Sequence, residues 1–292
     1  YSSAASDVYK RQVLAASFVI LVFSSGARFV IGVMFKPMIA EFGWSRSTLS
    51  LAFFVFMIFF AISITIAGKL YDLYGPKFVI IISSIFLFAG YGPLAFIQSF
   101  WQFIFFYGII AAIGLAGTSV PLFSAIMAKW FDKNRGLAIS LTLSGNCLGQ
   151  FILVPVFNIF LIQYGWRASC FWLGLIMMAV SIILAVTILR GDPDSLGIRP
   201  YGNQNGIITG DEPDNKPDDL GLKDAMKTYS FWLFLTIMFV CGSGDFLVTT
   251  HLVPMVTDHG ISQVTAGNML GWLGFASMLG ILIAGPASDF IG

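Results

Sequence analysis

Long apolar runs alternate with short polar interruptions along almost the whole chain. A helix needs roughly 20 mostly apolar residues to cross the hydrocarbon core of a bilayer. On that criterion the pattern predicts eight spans, at about 13–35, 49–68, 78–97, 102–128, 137–162, 168–189, 230–257 and 265–284. The runs are continuous rather than ten-residue alternations, which predicts helices and not barrel strands. Small residues recur four apart, as in Gly145 with Gly149 and Gly114 with Thr118; that spacing lets helices approach closely.

The polar interruptions are short with one exception. Residues 190–229 form a stretch rich in Gly, Pro, Asn and Asp, with a middle expected to be flexible. Its end, 220–232, reads as an amphipathic entry into the seventh span. The loop divides the chain into six spans and a further two. Basic residues then set the orientation, because cytoplasmic loops hold the excess of Lys and Arg. With the N-terminus inside, the inner loops hold Lys69, Lys77, Lys129, Lys133, Arg135, Arg190, Arg199, Lys216, Lys223 and Lys227, and the outer loops hold Lys36, Arg46 and Arg167. The N-terminus and the central loop are therefore expected in the cytoplasm.

Composition agrees with the runs. The 292 residues are 57% hydrophobic and 11% charged, where a soluble domain is about 25% charged. A net charge of +1 with no basic stripe gives no sign of a nucleic-acid partner. Cys147, Cys170 and Cys241 fall inside apolar runs without a CxxC pair and read as small hydrophobic residues. The sequence offers no nucleophile–base set, metal cluster or phosphate loop, so neither an enzyme nor a bound metal or cofactor is expected. Residues 1–12, "YSSAASDVYKRQ", are polar, lack the apolar core of a signal peptide and differ from all that follows. They are expected to be non-native.

The stretch "AGKLYDLYGPK" at 67–77 has a partial second copy, "AGPASDFIG", at 284–292. Gly68, Asp72 and Gly75 match Gly285, Asp289 and Gly292 at an offset of 217 residues. The same offset pairs Phe29 with Phe246, Pro37 with Pro254, Gly43 with Gly260, Ser45 with Ser262 and Thr48 with Thr265. The last two spans thus repeat the first two in the same orientation. Parallel repeats of this kind build one large transporter fold.

On these residues the chain resembles a major facilitator superfamily (MFS) transporter. "GKLYDLYGPK" is similar to the superfamily's loop motif at Gly68, Leu70, Asp72, Gly75 and Lys77, with Leu73 and Pro76 standing where basic residues are usual. The stretches 35–53, 128–150 and 164–174 look like the bacterial oxalate:formate antiporter and monocarboxylate porter-like branch. The resemblance implies an all-α membrane protein of the MFS fold in the inner membrane of a bacterium. It implies twelve helices, of which eight are expected here, so the sequence is read as a C-terminally truncated fragment. Its parts would be a six-helix bundle at 13–189, the cytoplasmic loop at 190–229 and the start of a second bundle at 230–292. Such a carrier, monomeric when complete, would move a small organic anion by alternating access, coupled to protons or to a counter-transported anion.

Ionisable groups at mid-bilayer are costly and call for a role. Arg28, Asp245 and His251 are the three well inside the spans. Arg28 and Asp245 stand 217 residues apart, at equivalent positions of the first and seventh spans, which face each other across the central cavity in this superfamily. A guanidinium suits a carboxylate substrate through its planar fork; the alternative is a snorkelling or structurally paired Arg. Asp245 could carry a coupling proton, neutralise Arg28 in the unloaded state, or form a fixed ion pair. His251 lies off the Asp245 face and reads as a core or capping histidine or as a proton relay. Asn146 and Gln150, four apart beside Gly145 and Gly149, could line a cavity or bond across helices. Trp272 and Phe275 could wall a pocket or simply pack. Asp72 is expected to gate the inner side by sitting against another helix's N-terminus, or to be a charged turn that fixes topology. Animal monocarboxylate transporters carry an Asp and an Arg four apart in the eighth helix. Ser277 and Ile281 stand at those positions here, so that proton-coupling pair does not carry over. Two other readings remain open: efflux of a drug-like or neutral solute, and a transporter-like sensor signalling through the central loop.

Overall fold

The computed structural model describes residues 3–189, 224 and 226–291. The expected flexible stretch, with Arg190, Arg199, Lys216 and Lys223, lies outside the described residues, as does Gly292. The helices are α1 (Ser3–Phe42), α2 (Arg46–Tyr91), α3 (Phe100–Phe103), α4 (Ala112–Ala116), α5 (Val120–Trp130), α6 (Arg135–Thr187), α7 (Tyr229–Asp258) and α8 (Gln263–Ile291). A short 3-10 turn (Pro93–Phe96) precedes α3, and a π-helix (Ile104–Ala111) joins α3 to α4. No strand occurs among the described residues.

Two helices are too long for one crossing. At 1.5 Å per residue, α2 with 46 residues and α6 with 53 residues would each run more than twice the roughly 30 Å of a hydrocarbon core. Each doubles back at a glycine with positive φ: Gly75 (φ 77°) in α2 and Gly165 (φ 80°) in α6. Consequently Ala67 and Leu70 share a cavity wall with Phe78 and Val79, and Ala138 sits in the same apolar cluster as Ala185. With α3 to α5 forming one pass, the described residues make eight passes, as the apolar runs predict.

Element ends differ from the expectation in three places. Helix α1 runs back to Ser3, through the segment set apart by composition. There Tyr9 donates a hydrogen bond to the Ile188 carbonyl at 2.6 Å and meets Trp130 edge-on. The third pass stops at Tyr91 rather than 97 because Pro93, which lacks an N–H, opens the 3-10 turn. The fourth pass is not a uniform helix: its π-helix is followed by a break at 117–119, before Pro121 in the first turn of α5.

Two apolar clusters fill the bundle of the first six passes. One holds Ala27, Tyr91, Tyr107, Leu115 and Trp166; the other holds Val13, Leu21, Leu122, Trp130 and Leu189. Between them the sequence places a polar layer, Ser24 and Ser25 on α1 and Thr118 and Ser119 at the helix break. The Ser24 hydroxyl reaches the Thr118 carbonyl at 2.9 Å and the Thr118 hydroxyl at 2.7 Å. The outward faces stay apolar. Phe54, Ile58, Ile62 and Ile66 make an exposed stripe on α2, the surface a bilayer covers.

The internal repeat recurs in atomic detail. Gly43 (φ 67°) and Gly260 (φ 84°) end α1 and α7 in the left-handed region. Ser45 then caps α2 by accepting from the Thr48 N–H at 3.1 Å, and Ser262 caps α8 by accepting from the Thr265 N–H at 3.2 Å.

Candidate functional site

The polar layer contains the one ion pair recorded between α1 and α7 among the described residues. Arg28 Nη2 lies 3.6 Å from Asp245 Oδ2, with the two side chains 21% and 52% exposed. At that distance the contact is an ion pair rather than a tight hydrogen bond. The guanidinium also sits 4.2 Å from the centroid of the Phe246 ring, a cation–π contact. Its Nε is buried and finds no hydrogen-bond acceptor among the described residues. Arg28 is therefore charge-balanced but not saturated, with donors left for a ligand.

Beside it lies a recess of about 20 Å³ whose polar lining is Ser24, Ser25, Arg28, Thr118, Ser119 and Asn146. That volume accommodates about one water molecule. Two of its hydroxyls are turned onto the nearby backbone, Ser25 to the Val22 carbonyl at 3.0 Å and Ser119, across the helix break, to that of Ala116 at 2.6 Å. Arg28 and Asn146 thus share a donor-rich corner, with Asp245 paired to Arg28 beside it. The other named residues do not line this recess. Gln150 is buried and its amide donates to the Leu270 carbonyl at 3.1 Å. Trp272 is 60% exposed, against Phe151 and Phe275. His251 is exposed on α7, one and a half turns beyond Asp245.

A second arrangement joins the first pass of α6 (135–164) to α8. Near the outer loops of the sequence reading, the Asn158 amide donates to the Gln263 carbonyl at 2.9 Å. At mid-depth stands the Gln150 bond. At the opposite end, which carries the basic loops, Asp289 receives the Gly136 N–H on Oδ1 and the Leu137 N–H on Oδ2, both at 2.8 Å. These amides belong to the first turn of α6, where N–H groups lack intrahelical acceptors and the helix dipole favours an anion. Glycines permit the approach. A Cβ on Gly274 would stand 2.8 Å from the Cys147 carbonyl oxygen, and one on Gly285 would meet Ser140. Gly145 and Gly149 serve α6 against α1 in the same way, facing the Phe18 and Val22 carbonyls.

The two copies of the opening motif differ in their surroundings. Asp289 holds a helix terminus. Asp72 instead lines, with Gly68, Tyr71, Ser119 and Lys129, a cavity of about 260 Å³. Lys129 lies over the Tyr71 ring at 4.3 Å, and Lys77 is half-buried just past the Gly75 bend. At the far end of the bundle, a clasp that sequence reasoning missed ties α1, α6 and the 3-10 turn. Glu41 accepts from Trp166 Nε1 at 2.6 Å and from Arg167 Nη2 at 2.7 Å, while Arg167 Nη1 reaches the Ala95 and Ile97 carbonyls. The hydrogen bonds from Arg167, opposed by partial burial and aided by Trp166, hold the Glu41 carboxyl below the ordinary glutamate range. The aromatic-basic pair Trp166–Arg167 directly after Gly165 was the signal available for it.

Comparison with known proteins assigns this architecture. The family model described as Major Facilitator Superfamily matches residues 17–292. The chain belongs to the Major Facilitator Superfamily. Among solved structures, a bacterial homolog of the human lysosomal transporter Spinster, in an inward-facing and unoccupied conformation, superposes with a TM-score of 0.70 at 23% identity. The match covers 91% of this chain and 60% of that one. The MFS-type transporter YcxA of Bacillus subtilis (strain 168) is 24% identical over 257 residues, covering 88% of this chain and 59% of YcxA. Human monocarboxylate transporter 7 is 24% identical over 174 residues, 60% of this chain and 33% of that protein. The chain thus spans a little under two thirds of the length of YcxA. These relatives are transporters, not enzymes, so the pairs of this MFS chain are read for ligand binding and conformational change.

Proposed function

We propose that this chain forms the substrate-binding part of a secondary carrier that moves a small organic anion across a membrane by alternating access. The Arg28–Asp245 pair carries the reading. A guanidinium placed between two apolar clusters, balanced by one loosely held carboxylate and with a donor unused, suits a solute carboxylate that takes Asp245's place. Asn146 and the hydroxyls of the recess supply further donors. Protonation of Asp245 would release Arg28, which links the coupling ion to the same pair. Similarity to a monocarboxylate transporter supports the anion class and the oxalate:formate and monocarboxylate branch. The excess of basic residues in the loops at the Asp289 end supports a cytoplasmic position for that end, in a carrier of a bacterial inner membrane. The carboxylate-capped helix would then hold the cytoplasmic side shut, with Asp72 as its counterpart in the first half.

The test uses the intact carrier in proteoliposomes. Arg28→Gln is expected to abolish uptake of the acid substrate while expression stays normal; undiminished uptake sinks the reading. Asp245→Asn is expected to keep exchange but lose accumulation driven by a pH gradient, and retained accumulation removes its proton role.

A further inference from the structure

A further cavity, of about 320 Å³, opens between the two arms of α2, before and after the bend at Gly75, with Ile113 of α4 also in its wall. It shares no residue with the recess beside Arg28. Its volume falls within the roughly 300–1,000 Å³ of small-molecule sites. Ile62, Ile66, Phe78 and Phe86 are exposed around it, so it opens on the apolar outer face that a bilayer covers. None of its lining residues is charged, and two carry hydroxyls: Ser63, 8% exposed, and Ser83, 6% exposed. A serine inside a helix can turn its hydroxyl onto the carbonyl four residues back, as Ser84 does to Ile80 at 2.6 Å. Neither the Ser63 nor the Ser83 hydroxyl has a hydrogen-bond partner among the described residues. The two also stand at one depth. Ser63 comes six residues before Lys69 and Ser83 six residues after Lys77, so each lies about 9 Å along its arm from the charged end. Hydrocarbon offers nothing to hydrogen-bond at that depth, and a hydroxyl left unmet there is costly.

We propose that this cavity binds a neutral, membrane-dissolved aliphatic molecule bearing one hydroxyl or carbonyl group. Ser63 and Ser83 hold the polar group, and the chain lies against Ile62, Ile66, Phe78 and Phe86. A serine hydroxyl both donates and accepts, so an alcohol or a carbonyl suits it equally. An ionised group is excluded, because the lining holds no counter-charge and a charge at this depth is costly. A glycerophospholipid keeps its polar groups outside the hydrocarbon core, level with the lysines and not with the serines. A plain hydrocarbon would fill the cavity and leave both hydroxyls unmet. The site goes beyond the anion reading above and does not depend on it.

The experiment uses the intact carrier in proteoliposomes, with dodecanol carrying a photoactivatable diazirine as the probe and mass spectrometry to locate the label. Label is expected to concentrate on the two arms of α2, at 59–70 and 78–86. Unlabelled dodecanol is expected to compete about tenfold better than dodecane at equal concentration in the bilayer, the worth of the hydrogen bond to a serine. That comparison needs no variant. Ser63→Ala combined with Ser83→Ala is expected to abolish the tenfold preference while dodecane competes as it does in wild type. Label spread evenly over outward-facing residues, such as Ile176 and Ile183 of α6, shows contact with the bilayer alone and overturns the site. Equal competition by alcohol and alkane in wild type, or a preference that survives both alanines, removes the serines from binding and overturns the assignment with them.

Discussion

Removing the Asp289 carboxylate tests whether the α6–α8 seam is latched at its basic end. Its two oxygens are the acceptors for the Gly136 and Leu137 N–H groups, each at 2.8 Å. Loss of a capping side chain costs about 0.5–2 kcal/mol, and the charge–dipole attraction adds roughly 0.3–1 kcal/mol where salt does not screen it. Asp289→Ala should then weaken the contact by about 2 kcal/mol, or roughly 30-fold in the population in which the contact is open. Asp289→Asn keeps one acceptor oxygen and loses the charge, for about 1 kcal/mol and roughly fivefold. Hydrogen exchange read at single residues measures this directly, because first-turn amides have no intrahelical acceptor to protect them. The Ala138 N–H, bonded to the Asn134 carbonyl at 3.0 Å, is the internal control. Gly136 and Leu137 should exchange about 30-fold faster in the alanine variant, with asparagine between it and wild type. Exchange within twofold of wild type in both variants would refute the latch.

Two other features give separate expectations. Arg167 lowers the carboxyl pKa of Glu41 in the fold, so the clasp's contribution is complete above the unfolded glutamate value, near 4.3, and is lost as pH falls through the lower folded value. Melting temperature should therefore drop on the acid side of pH 4 in wild type and less steeply in Glu41→Gln; parallel profiles would remove the clasp from the acid response. Gly274→Val pushes methyl groups toward the Cys147 carbonyl and the Gln150 side chain, and should cost about 1–3 kcal/mol by overpacking the seam. A wild-type melting temperature for that variant would show that α6 and α8 do not approach as closely as described.

The spans were legible because each apolar run is long and each turn is marked by a polar cluster. So was the Arg28–Asp245 pair, since charges at mid-span are scarce and the 217-residue offset matches them. The offset also carried the twin turns at Gly43 and Gly260 with their serine caps. The π-helix was not legible: its widened turn leaves no period in the sequence and goes with local packing, where a Cβ on Gly108 would stand 3.3 Å from Val55. Nor was the direction of Gln150. Its spacing from Asn146 put both on one stripe, but one turn further along the helix the neighbour is α8 rather than the recess. The acceptor it meets is a main-chain carbonyl, and main-chain groups are the same at every residue, so no sequence pattern announces them.

That last point has a consequence for the seam. All three of its ties join a side chain on one helix to the backbone of the other: Asp289 to the amides of Gly136 and Leu137, Gln150 to the carbonyl of Leu270, and Asn158 to that of Gln263. Such a seam is keyed to register rather than to partner identity. The receiving groups do not depend on the side chain that bears them, although Gly136 has no room for a Cβ and Leu270 is held in the core, and a slide of one helix past the other by a single residue breaks every tie together. Any motion that separates α6 from α8 must therefore release all of these ties at once, and one alignment restores them.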